Sequence, residues 1–222
     1  MARKTRENIK QKILDTAETL FAQQGFDATG IDQIAKTAGI TKSLIYYYFK
    51  SKDEILNSLF NDFIKNTLEF KNRVIDAWMT APSASVDKII REHSLPFMMA
   101  HKNVIKIAFA ESLKEVAEIP HLNIFKYFDQ NFSASDAIAQ KIGFESERNQ
   151  RQLLSSFFLF FAPLFSFVIF SDEWCDYYNI DLQTASNLFA DSVGKLYSSL
   201  VREEIRNVNL DEMLRNGKKH KH

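Results

Sequence analysis

Residues 31–50 read IDQIAKTAGITKSLIYYYFK, and few local structures satisfy their spacing. Two short runs with helical apolar periodicity are separated by Gly39, which stands four residues after Ala35. A small residue lets two helices cross closely, and a glycine enters a tight turn at little conformational cost. Ile34, Ala38, Ile40, Ile45 and Tyr48 fall where these helices and a supporting third helix would share a core. The pattern predicts a helix-turn-helix. On its second helix Ile45 and Phe49, four apart, face inward, which leaves Lys42, Ser43, Tyr46, Tyr47 and Lys50 on another face. Cations, a hydroxyl and phenols can bond phosphate oxygens or base edges, so this face is expected to meet nucleic acid. Thr41 is expected to cap the helix, whose positive end favours a phosphate. Tyr46 and Tyr47 are read as contacting residues, and Tyr48 as partly structural.

Helix punctuation extends along most of the chain. Thr5 can cap a first helix with Ile9, Ile13, Leu14, Ala17, Leu20 and Phe21 on its apolar side, ended by Gly25. Thr29 with Asp32, and Ser51 with Glu54, have the spacing of capping boxes. The second box opens a long helix through Ile55, Leu56, Phe60, Phe63, Ile64, Val74 and Trp78. A loop is expected at residues 80–85, and helical patterning then continues to Val208, with Asp181 capping a late helix. Six glycines and four prolines in 222 residues are too few for an all-β sandwich or barrel. The fold class expected is all-α.

The net charge is +0, but Arg3, Lys4, Arg6, Lys10 and Lys12 crowd the start against Glu7 alone. Lys36, Lys42, Lys50 and Lys52 follow in a stretch without an acid between Asp32 and Asp53. A neutral chain with one basic end is compatible with docking that end on a polyanion. The lone Cys175 excludes an intrachain disulfide and suits a reducing cytoplasm, and its acidic neighbours Asp172, Glu173 and Asp176 argue against a reactive thiolate. The start of the chain has no apolar run of the secretory type. The most apolar stretch, residues 153–170, is read as a buried core helix rather than a membrane span.

Residues 16–56, TAETLFAQQGFDATGIDQIAKTAGITKSLIYYYFKSKDEIL, resemble the amino-terminal domain of the tetracycline-repressor (TetR) family of bacterial transcription regulators. The likeness lies in a Phe-containing first helix, a Gly-Phe break, a Thr before helix two, Ala-Gly in the turn and the run YYFKSK. It implies phosphate-contacting roles for Thr29, Thr41, Tyr47, Tyr48 and Lys52, and base-proximal roles for Lys42, Ser43 and Tyr46. Ser43 departs from the commonest pattern, in which that position is glycine. The resemblance also implies a helix-turn-helix domain at 1–52 and a helical ligand-binding and dimerisation domain at 53–208, joined by the long helix and followed by a tail at 209–222. Double-stranded operator DNA, a small-molecule inducer and a second copy of the chain are the implied partners.

The two helices expected to pair with a second copy cover residues 148–170 and 182–202, and Ala185, Ala190 and Gly194 would allow close approach on the second. The aromatic excess after residue 90 is read as the lining of an apolar ligand cavity, with Phe97, Met98, Phe109, Phe128, Phe157, Phe161 and Phe165 as candidates. Glu111 and Asp129 are candidate polar anchors. No nucleophile–base pair, metal-ligand spacing or phosphate-binding glycine loop is present, so neither enzyme activity nor a metal or other cofactor is expected. A cytoplasmic, ligand-released homodimeric repressor is the favoured reading. An activator, or a regulator answering to a protein partner, is the alternative, and a helical enzyme using the aromatic cavity is a remote one.

Overall fold

The structure is a computed structural model that describes residues 2–80, 85–114, 125, 128, 129 and 150–199. Among the described residues all regular structure is helical. Helix α1 covers Ala2–Gln24, α2 Ile31–Ala38, α3 Lys42–Tyr48 and α4 Lys52–Thr80. Helix α5 runs over residues 86–100, with a π-helical segment Ile90–Ser94 between α-helical turns Val86–Ile89 and Leu95–Ala100. After a break at His101 comes α6, Lys102–Ser112. Helix α7 comprises Gln150–Leu154, a π-helical segment Ser155–Phe161 and Ala162–Tyr178, and α8 covers residues 182–199. The expected tail at 209–222 lies outside the described residues.

Contacts divide the chain into two compact units, one of Met1–Arg73 with Ala100–Ser146 and the other of Val74–Met99 with Glu147–His222. The first unit extends past residue 52, for a physical reason. The first turns of α4 bury Ile55, Leu56 and Leu59 in the same core as Ile13, Leu14, Ala17 and Phe21 of α1, Ile34 of α2 and Ile45 and Phe49 of α3. Ile107 of α6 completes that core. Burying each such side chain stabilises by about 1.5–3 kcal/mol, and short helices depend on this packing because an isolated one is marginal in water.

Several local signals act as the sequence predicts. Gly25 follows α1 at φ 90°, and its N–H donates to the Phe21 carbonyl. Gly39 takes the left-handed conformation after α2, with the Ile40 N–H closing onto the Ala35 carbonyl. Before α4, Ser51 Oγ accepts from the Glu54 N–H while the Glu54 carboxylate accepts from the Lys50 N–H. Asp181 Oδ1 accepts from the Thr184 N–H at the start of α8.

Two expected caps are different. Helix α1 already runs from Ala2, so Thr5 lies within it. Helix α2 has Gly30 as its cap residue and no side-chain cap, because the Thr29 hydroxyl bonds backward to the Gly25 carbonyl.

In the second unit, α5 and α8 meet at Gly194. A Cβ there would stand 2.6 Å from the Asp87 Cα, so only glycine fits. Arg91 of α5 bonds Asp191 of α8 beside this crossing and also pairs with Asp87. The close approach expected between two copies at Gly194 is thus made inside one chain, and Ala185 and Ala190 are also buried. Helices α7 and α8 share stacked Phe167 and Phe189, 4.3 Å apart, and Phe160 with Tyr197 at 4.5 Å.

The 24-residue stretch Ser155–Tyr178 is long and apolar enough to cross a membrane, and 28% of its most apolar window is buried. Leu164, Phe165, Val168 and Cys175 are core, whereas Phe158, Phe170, Trp174, Tyr177 and Tyr178 are exposed. The expected core helix therefore has one buried face and one open one. Burial and the carboxylates of Asp172, Asp176 and Asp181 raise the pKa of the Cys175 thiol, consistent with an unreactive thiol.

Candidate nucleic-acid interface

Helix α3 is held from both ends. Thr41 Oγ1 accepts the Leu44 N–H at 3.3 Å, and the Phe49 N–H donates to the Ile45 carbonyl at 2.9 Å. Fully buried Ile45 and Phe49 fix which way the helix is turned. The outward face is then determined by period alone. Tyr46 is 48% exposed and Tyr47 64%. Tyr48 packs partly on the core and meets the Tyr47 ring edge-on at 5.1 Å. Ser43 is exposed, with Oγ 3.0 Å from Thr41 Oγ1, so the serine hydroxyl joins the first turn's own bonding.

Lys42 does not stand free on this face. Its Nζ donates to Asp32 Oδ2 at 2.8 Å, joining the start of α3 to the first turn of α2. The hydrogen bond and charge of Asp32 raise the lysine pKa. Periodicity within α3 could not show this bond, which spans ten residues.

Two residues with implied phosphate roles are engaged elsewhere. Thr29 is fully buried, its hydroxyl donating to the Gly25 carbonyl at 2.8 Å and accepting from Gln24 Nε2 at 3.0 Å. Its N–H donates to the Phe26 carbonyl. The Thr29 side chain is thus a lock for the α1–α2 turn rather than part of the exposed face. Lys52 donates to the Phe26 and Asp27 carbonyls at 2.7 and 3.4 Å, with its ammonium 4.2 Å from the Phe26 ring centre. In this arrangement it stabilises that same turn.

Glu111, expected as a ligand anchor, is nearly buried and pairs with Lys114 at 2.8 Å. Lys114 also reaches Asp27 at 2.5 Å. The lysine hydrogen bond lowers the pKa of Asp27; for Lys114, burial opposes charge but the two carboxylates outweigh it and raise its pKa. Glu111 thus contributes to a charge cluster that ties the end of α6 to the α1–α2 turn. Asp129 is exposed.

The expected cavity residues fall in both units. Phe109 and buried Phe128 belong to the first, while Phe97, Met98, Phe157, Phe161 and Phe165 belong to the second, where Phe161 and Phe165 stack at 6.0 Å. Met98 and Phe165 are core residues.

A short helix presented outward by a buried triplet of helices defines a helix-turn-helix domain. Residues 13–59 match the bacterial regulatory proteins of the tetR family. The match covers the helix-turn-helix segment, so the likeness to that family is carried by the amino-terminal part of the chain. Among curated relatives, the biofilm operon icaADBC HTH-type negative transcriptional regulator IcaR of Staphylococcus aureus (strain Newman) is 35% identical over 81 residues, 36% of this chain and 41% of that protein. The HTH-type transcriptional regulator AcrR of Shigella flexneri is 44% identical over 62 residues, 27% of this chain and 29% of that protein. The chain therefore matches less than half the length of either relative.

Solved structures extend the likeness in fold. The transcriptional regulator FadR from Bacillus subtilis, in complex with stearoyl-CoA, superposes over 83% of this chain and 97% of its own at 19% identity and a TM-score of 0.57. A TetR-family transcriptional regulator from Bordetella parapertussis 12822 does so over 84% and 94% at 18% identity and a TM-score of 0.57.

Proposed function

We propose that the protein is a DNA-binding transcriptional regulator, a cytoplasmic homodimer that represses from an operator and is released by a small apolar ligand. One observation carries the DNA-binding part: α3 sets Tyr46, Tyr47 and Lys42 outward while Ile45 and Phe49 anchor it beneath. Exposed phenols beside an ammonium are costly decoration unless they meet a surface, and a major groove accepts a helix of this width. Thr41, Ser43 and Tyr48 flank the same face. Repression is supported by IcaR, which is a negative regulator. An apolar ligand is supported by the acyl-CoA bound to FadR and by the wealth of phenylalanine here.

The dimer reading rests on the second unit. Phe170, Trp174 and Tyr177 repeat at helical spacing along the open face of α7, and Leu188 and Leu196 do so on α8. A second copy would cover these stripes, as in a four-helix interface. Release then requires a ligand that favours the unbound form: shifting a population from 1:99 to 99:1 takes a differential of about 10⁴, near 5.5 kcal/mol.

Selection of bound duplexes from a random library, followed by fluorescence anisotropy, tests the proposal. Enrichment of a two-fold symmetric sequence is expected, and Tyr46→Ala should weaken it by about 1–3 kcal/mol without lowering thermal stability. Failure to enrich any sequence would overturn the reading. For a candidate inducer, DNA must weaken ligand binding by the same factor by which ligand weakens DNA binding. Calorimetry with and without saturating operator measures both arms.

A further inference from the structure

Asp32 is the one acid between Ala28 and Lys52, and from α2 its carboxylate reaches Lys42 on the outward side of α3. The pair it forms with Lys42 is open to water, with side chains 77% and 49% exposed. An exposed ion pair contributes little to stability, on the order of 0–1 kcal/mol, and an acid in the first turn of α2 adds a similarly small amount through the helix dipole. Its effect on a polyanion is another matter. A carboxylate beside phosphates repels them, and it neutralises the cation that would otherwise bind any backbone it met.

The geometry joins an acceptor to a donor. The Lys42 ammonium has three N–H groups, and holding Asp32 uses one of them. The other two remain for acceptors, while Asp32 Oδ1 has free lone pairs. In the major groove a G·C pair presents guanine O6 and N7 as acceptors and cytosine N4 as a donor, side by side. A lysine reads the first edge and a carboxylate the second. An A·T pair offers a donor from adenine N6 where guanine offers O6, and a phosphate offers only acceptors and charge.

We propose that Asp32 and Lys42 act as one unit that reads a G·C base pair, with Asp32 the specificity-determining residue that turns a general phosphate-binding lysine into a base reader. The inference rests on the DNA-binding reading above. It adds a residue of α2 to the reading surface and makes the acid essential to discrimination rather than incidental.

The test uses the full chain and the duplex selected by it. Replacing each G·C pair of a half-site by A·T in turn should identify one position where wild-type binding falls about tenfold or more. In Asp32→Asn, that position is expected to lose most of its preference. Random duplex should bind the variant roughly three- to tenfold tighter, with a salt slope steeper by about one unit as Lys42 gains a phosphate. The gain on random duplex should vanish in the double variant Asp32→Asn/Lys42→Ala. An unchanged melting temperature checks that the variants fold. Equal changes on selected and random duplex, an unmoved base preference, or a gain that persists without Lys42 would each overturn the proposal. A wild-type chain that selects no duplex would instead overturn the DNA-binding reading beneath it.

Discussion

In the amino-terminal bundle the large apolar side chains are inside, whereas along α7 and α8 many stay out. Ile13, Ile34, Ile45, Phe49, Ile55 and Leu56 are all essentially inaccessible, and among the described residues of α1 to α4 the exposed rings are Tyr46 and Tyr47. On α7 and α8, Phe170, Trp174, Tyr177, Tyr178, Leu188 and Leu196 are exposed, Tyr177 to 82%. Single exposed apolar residues are ordinary, but stripes repeating at helical spacing mark a surface meant to be covered. One region has closed its core with its own residues. Among the described residues the other has not, and a second copy is expected to cover it.

That contrast is sharpest under mutation. Phe49→Ala should cost about 3–5 kcal/mol, because the ring is fully buried at the foot of α3 and leaves a cavity among residues from α1 to α4. Urea denaturation would show it, and DNA binding should be lost with it. Gly194→Ala is expected to cost about 1–3 kcal/mol, since even a methyl group meets the Asp87 backbone within the same chain. Its effect on melting should not depend on protein concentration. A concentration-dependent loss would move Gly194 back to an interface between copies.

Substitution on the open stripe should behave in the opposite way. Leu188→Lys is expected to change the stability of the isolated chain by less than about 0.5 kcal/mol, as exposed substitutions do, yet to dissociate the dimer in sedimentation velocity. An unaltered dimer would place the second copy on another surface.

The same contrast decides how much could be read in advance. Residues 25–54 were legible because their constraints are local: Gly25 and Gly39 take positive φ, Thr41 caps α3, and Ser51 bonds Glu54 three residues on. Thr29 misled because a threonine before an acid has one spacing and two options. With Gly30 intervening, the hydroxyl bonds back to Gly25 instead of forward into α2. Glu111 and Gly194 were read from composition and helix spacing, whereas their partners are set by tertiary contacts. Lys114 joins Glu111 to Asp27, 87 residues from that lysine, and Gly194 meets Asp87. The carbonyls that hold Lys52 in this structure come from 25 and 26 residues upstream, out of reach of any local pattern.

The smallest effect concerns a charge within the better-closed region. Glu18 of α1 is partly buried, and burial followed by the nearby charge of Asp15 raises its pKa, while His101 and the hydrogen bond to Asn103 on the α6 side pull the other way. Because the folded value lies above the unfolded one, the fold favours the protonated acid. The stability this gives is fully present below the unfolded value, near about 4.3, and is lost as pH rises through the folded value. At pH 7 the ionised carboxylate therefore carries a cost that a neutral amide of the same shape avoids. Glu18→Gln is expected to raise the melting temperature at pH 7 by roughly a few degrees at most, and the gain should narrow on going to pH 5. Thermal melts of both proteins at the two pH values measure it. A lower melting temperature for the glutamine variant at pH 7 would mean that His101 and Asn103 outweigh burial, and that even the closed core draws net stability from a charge it encloses.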